Sequence, residues 1–113
     1  MTARYDVSIC MPAHRSQMWE SMYSSLAASA APYTWELVIV GPNYPSAELM
    51  SKSNFKFLKD FGTPTRCAQM ATLLAEGEFM MWGSDDGRFL PGAIKECIDL
   101  RKTLKKEDVV VVR

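Results

Sequence analysis

Short apolar runs along the chain have the length and spacing of β-strands. The segment DVSICMP (6–12) alternates apolar with small polar residues and predicts a strand that ends at its proline. WELVIVG (35–41) is apolar almost throughout, which is typical of a strand covered on both faces. FKFLKDFG (55–62) predicts a third strand, and its lysines, Lys56 and Lys59, indicate a sheet edge.

Helical stripes separate these strands. Met18, Met22 and Leu26 recur at every fourth residue, which predicts a helix with one apolar face. Ser16 is a candidate cap at the start of this helix, and Pro32 is expected to end it.

A later segment, GTPTRCAQMATLLAEG (62–77), contains signals for both ends of a helix. Thr63 precedes Pro64 at the predicted first turn, and Gly77 stands where a C-terminal cap is expected. Pro91 is expected to open the last main helix.

Two more strands, EFMMWGS (78–84) and DVVVVR (108–113), and a short helix in SAELMSKS (46–53) complete the pattern. Alternating strands and helices predict an α/β, Rossmann-like domain of three layers, with a mostly parallel sheet and helices on both faces. Because no linker interrupts the pattern, we expect one domain over residues 1–113.

Composition narrows the possible functions. The 113 residues include 13 basic and 13 acidic side chains, so there is no net charge to attract nucleic acid or an anionic membrane. The three cysteines lack a disulfide or metal-site spacing, and a cytoplasmic location is expected. No segment approaches the roughly 20 apolar residues of a membrane span.

Ligands of parallel sheets bind beyond the carboxyl ends of the strands. The loops expected there are 12–15, 41–46, 60–66 and 83–87. The first loop has no glycine, which excludes a G-x-G-x-x-G dinucleotide site, and a P-loop is also missing.

The loop GSDDG (83–87) is the most distinctive of the four, because Asp85 and Asp86 are adjacent at a predicted strand end. Carboxylates are ligands that Mg²⁺ and Mn²⁺ prefer, and such a cation can neutralise a diphosphate. Ser-Asp-Asp-Gly is also favourable turn chemistry by itself. The residues alone leave both interpretations open.

Four motifs, in order, resemble glycosyltransferase family 2, whose members have the GT-A fold. VSICMPAHR resembles the first strand and its loop, and ELVIV the second strand. FGTPTRCAQM resembles the start of a following helix, and AEGEFMMWGSDDGRFLP the acidic D-x-D-type motif. The resemblance covers nearly the whole chain and implies the nucleotide-sugar-binding half of an inverting glycosyltransferase.

The resemblance also implies roles for individual residues. Asp86 matches the carboxylate that binds a divalent cation, Mn²⁺ or Mg²⁺, and Asp85 matches its neighbour that faces ribose or metal. Ser84 stands where many members have a further acid. The segment along the nucleotide and the nearby arginine correspond to Pro12, Ala13, His14 and Arg66.

The chain departs from the family at several positions. Gly41 and Pro42 replace an acid that contacts the base, and Cys67 replaces an asparagine. The nucleobase that the chain would recognise is therefore open, and a UDP-sugar is the donor that we expect first. The catalytic base and acceptor site of the family lie in a second half, so we expect the 113 residues to be too short for activity alone.

Two functional hypotheses follow. The first is glycosyl transfer from a nucleotide-diphosphate sugar to an acceptor hydroxyl that the sequence does not identify. The alternative is a non-catalytic nucleotide-sugar-binding or interaction module, and a homo-oligomer is possible for either.

Other residues have simpler interpretations. Arg15 and Arg66 could offset diphosphate charge or be solvated. Trp82 is expected in the core, and Trp19 and Tyr23 at contacts between helix and sheet.

Overall fold

Strands and helices alternate in the computed structural model, which describes residues 3–105. The strands are β1 (Tyr5–Pro12), β2 (Trp35–Gly41), β3 (Phe55–Lys59) and β4 (Gly77–Trp82). The α-helices are α1 (Trp19–Ala30), α2 (Ala47–Met50), α3 (Pro64–Leu74) and α4 (Ala93–Lys102). The predicted α/β class is confirmed, and the predicted strand at 108–113 lies outside the described residues.

The four strands form one parallel sheet in the order β3-β2-β1-β4. Val7 of β1 lies opposite Trp35 of β2 and Phe79 of β4, which fixes the register of the centre. β3 lies at an edge, as Lys56 and Lys59 predicted. β2 is central and six of its seven residues are buried, so its apolar run is covered on both faces.

Alternate side chains of a strand point to opposite sides, so this sheet has two apolar faces. Helices cover both of them. The larger core lies against α1 and α4, and the smaller core lies under α3. Buried members of the larger core include Val7, Ile9, Met11, Trp19, Met22, Leu26, Leu37, Ile39, Ile94 and Ile98. The smaller core contains Cys10, Val38, Val40, Cys67 and Ala71.

The predicted layers, with helices on both faces, are therefore confirmed. Small side chains let α3 lie close to the sheet, so that the Sγ of Cys10 is 3.8 Å from the carbonyl oxygen of Ala71. Burial, with the negative charge of Glu36, raises the pKa of the Cys10 thiol to about 11. Among residues 3–105, no helix is long and apolar enough to cross a bilayer.

A buried carboxylate joins three strands near their amino ends. Glu36 of β2 is fully buried and accepts hydrogen bonds from the Oγ of Ser8 and the N–H of Glu76, both at 2.6 Å. The Nζ of Lys56 lies 2.8 Å from its other oxygen. Because a buried charge is tolerated only with such partners, Glu36 fixes where β4 begins beside β1.

Two predicted helix signals are wrong. α3 ends at Leu74, and Gly77 is the first residue of β4 rather than a cap. Glycine is needed there because a Cβ would lie 2.5 Å from the Oγ of Ser8. α4 begins at Ala93, after Gly92 in the left-handed region at φ 74°, so Pro91 precedes the helix instead of opening it.

The start of α1 also differs from the prediction. Ser16 begins a short 3-10 helix, Ser16–Met18, whose N-cap residue is Arg15, so Ser16 is not a cap. α1 itself begins at Trp19.

Trp82 is 65% exposed, so its predicted place in the core is wrong. It is aligned with Cys10 and faces the same side of the sheet as α3. α3 packs mainly on β1 and β2, and among residues 3–105 no other helix packs closely on this side of β4. The other two aromatic predictions are confirmed, since Trp19 packs on Phe57 and Tyr23 on Trp35, with ring centroids 6.0 and 5.0 Å apart.

We predict that Gly77→Ala lowers the free energy of unfolding by about 1–3 kcal/mol, because the new methyl group would overpack against Ser8. The matched control is Gly87→Ala, where a Cβ would have no atom within 4 Å. Urea denaturation measures both variants. Equal midpoints for the two variants would contradict the close packing of β4 on β1.

Candidate functional site

A crevice of about 180 Å³ opens at the carboxyl ends of β1 and β2 and beside the start of α3. Three of the four predicted loops contribute to it. Its walls are Pro12, Ala13 and His14 after β1, Val40, Gly41 and Pro42 at β2, and Gly62, Pro64 and Cys67 around the start of α3. The structure therefore brings the predicted segment 12–14 to the place where parallel sheets bind ligands.

Close backbone contact shapes the floor of the crevice. A Cβ at Gly41 would lie 1.8 Å from the carbonyl oxygen of Ala13, so only glycine fits at that strand end. The Nδ2 of Asn43 donates a 2.6 Å hydrogen bond to the carbonyl of His14 and holds the two loops together. This packing explains physically why position 41 cannot carry an acid in this chain.

Asp85 connects the fourth loop to the first. Its side chain is buried, and its Oδ2 accepts hydrogen bonds from the N–H groups of His14 (2.9 Å) and Arg15 (2.7 Å). The indole Nε1 of Trp19 donates to the same oxygen at 3.2 Å. The Nη1 of Arg15 lies 2.7 Å from Oδ1 and completes the set.

These bonds keep Asp85 ionised. Burial acts to raise the pKa of this carboxyl, but the hydrogen bonds from Arg15, Trp19 and His14 outweigh it, and the pKa is lowered. Most of the acceptor capacity of the carboxylate is used by protein donors. Asp85 is thus a positioning residue that holds the first loop, and its predicted contact with ribose or metal stays a prediction.

Asp86, the residue that follows Asp85, is not buried. Its side chain is exposed. Because consecutive Cα atoms are about 3.8 Å apart, it lies beside the loop that Asp85 holds. Ser84, on the other side, is also exposed.

Among residues 3–105, no cluster of three or more His, Cys, Asp or Glu side chains is placed to hold a metal ion. Of the two predicted metal ligands, the carboxylate of Asp85 is buried and hydrogen-bonded to protein groups, and the carboxylate of Asp86 is exposed.

Both arginines considered for diphosphate binding pair with aspartates. Arg15 pairs with Asp85, as above. Arg66 is 63% exposed in its side chain, and its Nε lies 3.2 Å from the Oδ2 of Asp60. Its N–H is capped by the Oγ1 of Thr63 at 3.2 Å, which confirms Thr63 as the start of α3.

Sequence reasoning missed two residues that shape this region. The Trp19 indole was expected only in packing, but it also donates to Asp85. Asp60 was not selected, yet it accepts from the N–H of Gly62 at 2.9 Å and from the Sγ of Cys67 at 3.7 Å. The Asp-x-Gly spacing of a tight turn was the available signal for Asp60.

We predict that Asp85→Ala and Asp86→Ala differ sharply in stability. Asp85→Ala leaves the N–H donors of His14, Arg15 and the buried Trp19 without an acceptor and should cost about 2–4 kcal/mol. Asp86→Ala, at an exposed position, should change the unfolding free energy by less than about 0.5 kcal/mol. Urea denaturation of the two variants measures the difference, and similar losses would contradict the assigned roles.

The contribution of Asp85 should also depend on pH. Its pKa is lower in the folded protein than the unfolded value of about 3.9, so its stabilisation is fully present above that value. The stabilisation is lost as the pH falls through the folded pKa. The difference in unfolding free energy between the wild type and Asp85→Asn should therefore be constant from pH 7 to 5 and shrink below pH 4. A difference that persists unchanged to pH 2 would refute this assignment.

Comparisons with known proteins found no match for this chain. No protein-family model, no curated protein and no solved structure matches the chain. Evidence for a function therefore comes from the residues around the crevice and from the motif resemblance.

Proposed function

We propose that the crevice binds the nucleotide part of a nucleoside-diphosphate sugar, which serves as a donor for inverting glycosyl transfer of the family 2 type. The observation that carries this proposal is that Asp85, in the loop 83–87 (the acidic loop), forms hydrogen bonds with the predicted segment 12–14 and its neighbour Arg15. Residues that are about 70 positions apart in sequence meet at one sheet end, where a base and a diphosphate would be neighbours.

The walls of the crevice suit a planar base. The lining residues Pro12, Ala13, Pro42 and Pro64 present apolar surface and backbone groups. Apolar walls with a few placed polar groups are the usual make-up of a cofactor site. His14 is exposed and lines the crevice, and we propose that it meets the ribose or the first phosphate.

Asp86 is the residue we propose as the protein ligand of a divalent cation. Mg²⁺ and Mn²⁺ are commonly held by one or two carboxylates together with phosphate oxygens and water. A single exposed carboxylate beside the diphosphate position fits that arrangement, because the substrate supplies the remaining ligands. When bound, the cation would neutralise the departing nucleoside diphosphate.

In the proposed reaction, an acceptor hydroxyl forms a bond to the anomeric carbon, and the bond from that carbon to the diphosphate oxygen breaks. The hydroxyl proton must pass to a base within hydrogen-bond reach. We propose that a second half or partner chain supplies the base and acceptor site, as the resemblance implies. A UDP-sugar donor, a cytoplasmic location and self-association are further parts of this proposal.

A non-catalytic nucleotide-sugar-binding module is the second candidate. It is favoured by the engagement of Asp85 with Arg15, His14 and Trp19, which leaves one exposed carboxylate in the acidic loop. Turnover supports the first candidate where it is found, because release of UDP from a UDP-sugar indicates transfer or hydrolysis. Stoichiometric binding without release by this chain alone fits both candidates, since the proposed base and acceptor site are supplied from elsewhere.

We predict that titration calorimetry detects binding of UDP-glucose or GDP-mannose in the presence of Mn²⁺ and at least tenfold weaker binding in EDTA. Asp86→Asn should lose this dependence on Mn²⁺, because the carboxylate ligand is gone. Glu78→Gln is the matched control, since Glu78 is also exposed but lies at the amino end of β4.

Two results would overturn the proposal. Absence of binding by either nucleotide sugar would remove the donor-binding function. Binding that is equally strong in EDTA and unaffected by Asp86→Asn would remove the cation site and leave only a metal-independent module.

A further inference from the structure

Two exposed aromatic side chains share one lysine at the carboxyl ends of β2 and β3. The Nζ of Lys59 lies 4.4 Å from the ring centroid of Tyr44 and 5.1 Å from that of Phe61. Tyr44 follows β2 and Phe61 follows β3, so the ammonium group joins the two loops. The Tyr44 ring also packs on Phe57, with the centroids 5.7 Å apart. We call Tyr44, Lys59 and Phe61 the aromatic–lysine patch.

The patch is exposed to solvent, although its side chains hold one another in place. Tyr44 is 66% exposed and Phe61 is 77% exposed. Lys59 is exposed as well. A cation over the face of an aromatic ring is attracted to it, so the ammonium group restrains both rings at the surface. Clustered apolar side chains that stay exposed mark surfaces that contact another molecule, so an interaction site is expected here.

Lys59 brings to the patch a positive charge that no acid neutralises. Among residues 3–105, no carboxylate forms an ion pair with its Nζ. The neighbouring carboxylate of Asp60 pairs with Arg66 instead. The chain as a whole has no net charge, so any attraction of an anionic partner must be local, and the patch supplies it.

The chemistry of the patch favours a lipid surface over a small soluble ligand. None of its three residues lines the crevice, and small-molecule sites are concave. Phe61 has no polar group in its side chain for a soluble ligand to recognise. Aromatic rings and lysines together are typical of protein surfaces at the boundary between lipid headgroups and acyl chains. There the rings enter the apolar region, and the lysine ammonium stays among the anionic headgroups.

We infer that the aromatic–lysine patch docks this chain on an anionic lipid surface. Phe61 and Tyr44 insert at the headgroup boundary, and Lys59 pairs with anionic headgroups. The same two loops supply Gly41 and Gly62 to the crevice, so docking holds the crevice at the bilayer surface. This interaction goes beyond the proposed nucleotide binding and does not require it.

Co-sedimentation with lipid vesicles tests this inference. Vesicles of phosphatidylcholine with about one-quarter phosphatidylserine have an anionic surface, whereas vesicles of phosphatidylcholine alone do not. The wild type should bind the anionic vesicles at least about fivefold more tightly than the neutral ones, the factor expected for one lysine near the surface. Raised salt should weaken the binding to anionic vesicles, because it screens the charge of Lys59.

Substitutions locate the binding surface. Phe61→Ser should weaken binding to the anionic vesicles at least about tenfold, because the inserted apolar ring is gone. Lys59→Gln should weaken it about fivefold. The matched controls are Leu73→Ser, at a residue 79% exposed on α3, and Lys52→Gln, at an exposed residue before β3. Neither control should change binding, and urea midpoints should stay near the wild-type value because all four positions are exposed.

An added indole reports which end of the sheet meets the bilayer. Phe61→Trp keeps a large apolar ring in the patch, and its fluorescence emission should shift to shorter wavelength when anionic vesicles are added. Leu73→Trp should show no added shift. Leu73 lies near the end of α3, shortly before β4 begins, so it is at the amino ends of the strands.

Three results would overturn the inference. The first is a wild type that does not bind anionic vesicles, or binds neutral ones equally well. The second is equal loss of binding in the patch and control variants. The third is self-association that Phe61→Ser removes, without vesicle binding, which would assign the patch to a second copy of the chain. No nucleotide is present in these experiments, so their failure is distinct from failure of the proposed function.

Discussion

The buried carboxylate of Asp85 is the constraint on which the arrangement of the site depends. One oxygen collects the main-chain N–H groups of His14 and Arg15 and the indole of Trp19. These donors come from the loop after β1 and from the start of α1, whereas the acceptor follows β4. Because a buried charge must be paired to be tolerated, the three segments are held in one geometry. The rim of the crevice depends on this contact.

This constraint divides two adjacent aspartates between different roles. Asp85 stabilises the protein, and its neighbour Asp86 is left exposed beside the loop that Asp85 holds. A loop held by Asp85 next to an exposed carboxylate suits the proposed ligand with both a base and a diphosphate, since loops that are already held lose less freedom on binding. On the far side, the crevice residue Gly62 donates its N–H to the carboxylate of Asp60.

Much of the fold could be predicted from the sequence, and the site only in part. The unbroken run of β2 and the lysines of β3 correctly indicated a central and an edge strand, because these patterns report burial directly. Gly77 and Trp82 were misassigned because their roles depend on long-range contacts, with Ser8 in one case and the limited reach of α3 in the other. The network around Asp85 was not predictable, because hydrogen bonds between distant loops leave no periodic signal.

Paramagnetic broadening by Mn²⁺ tests most directly whether the crevice and the acidic loop form one donor site. In a ¹⁵N spectrum with UDP, substoichiometric Mn²⁺ should broaden the amide signals of residues 84–88 and of His14. With Mg²⁺ in place of Mn²⁺, the signals of Gly41 and Gly62 should shift on UDP binding. Broadening confined to carboxylates remote from the crevice, such as Glu48 or Asp99, or UDP shifts away from these strand ends, would contradict the account.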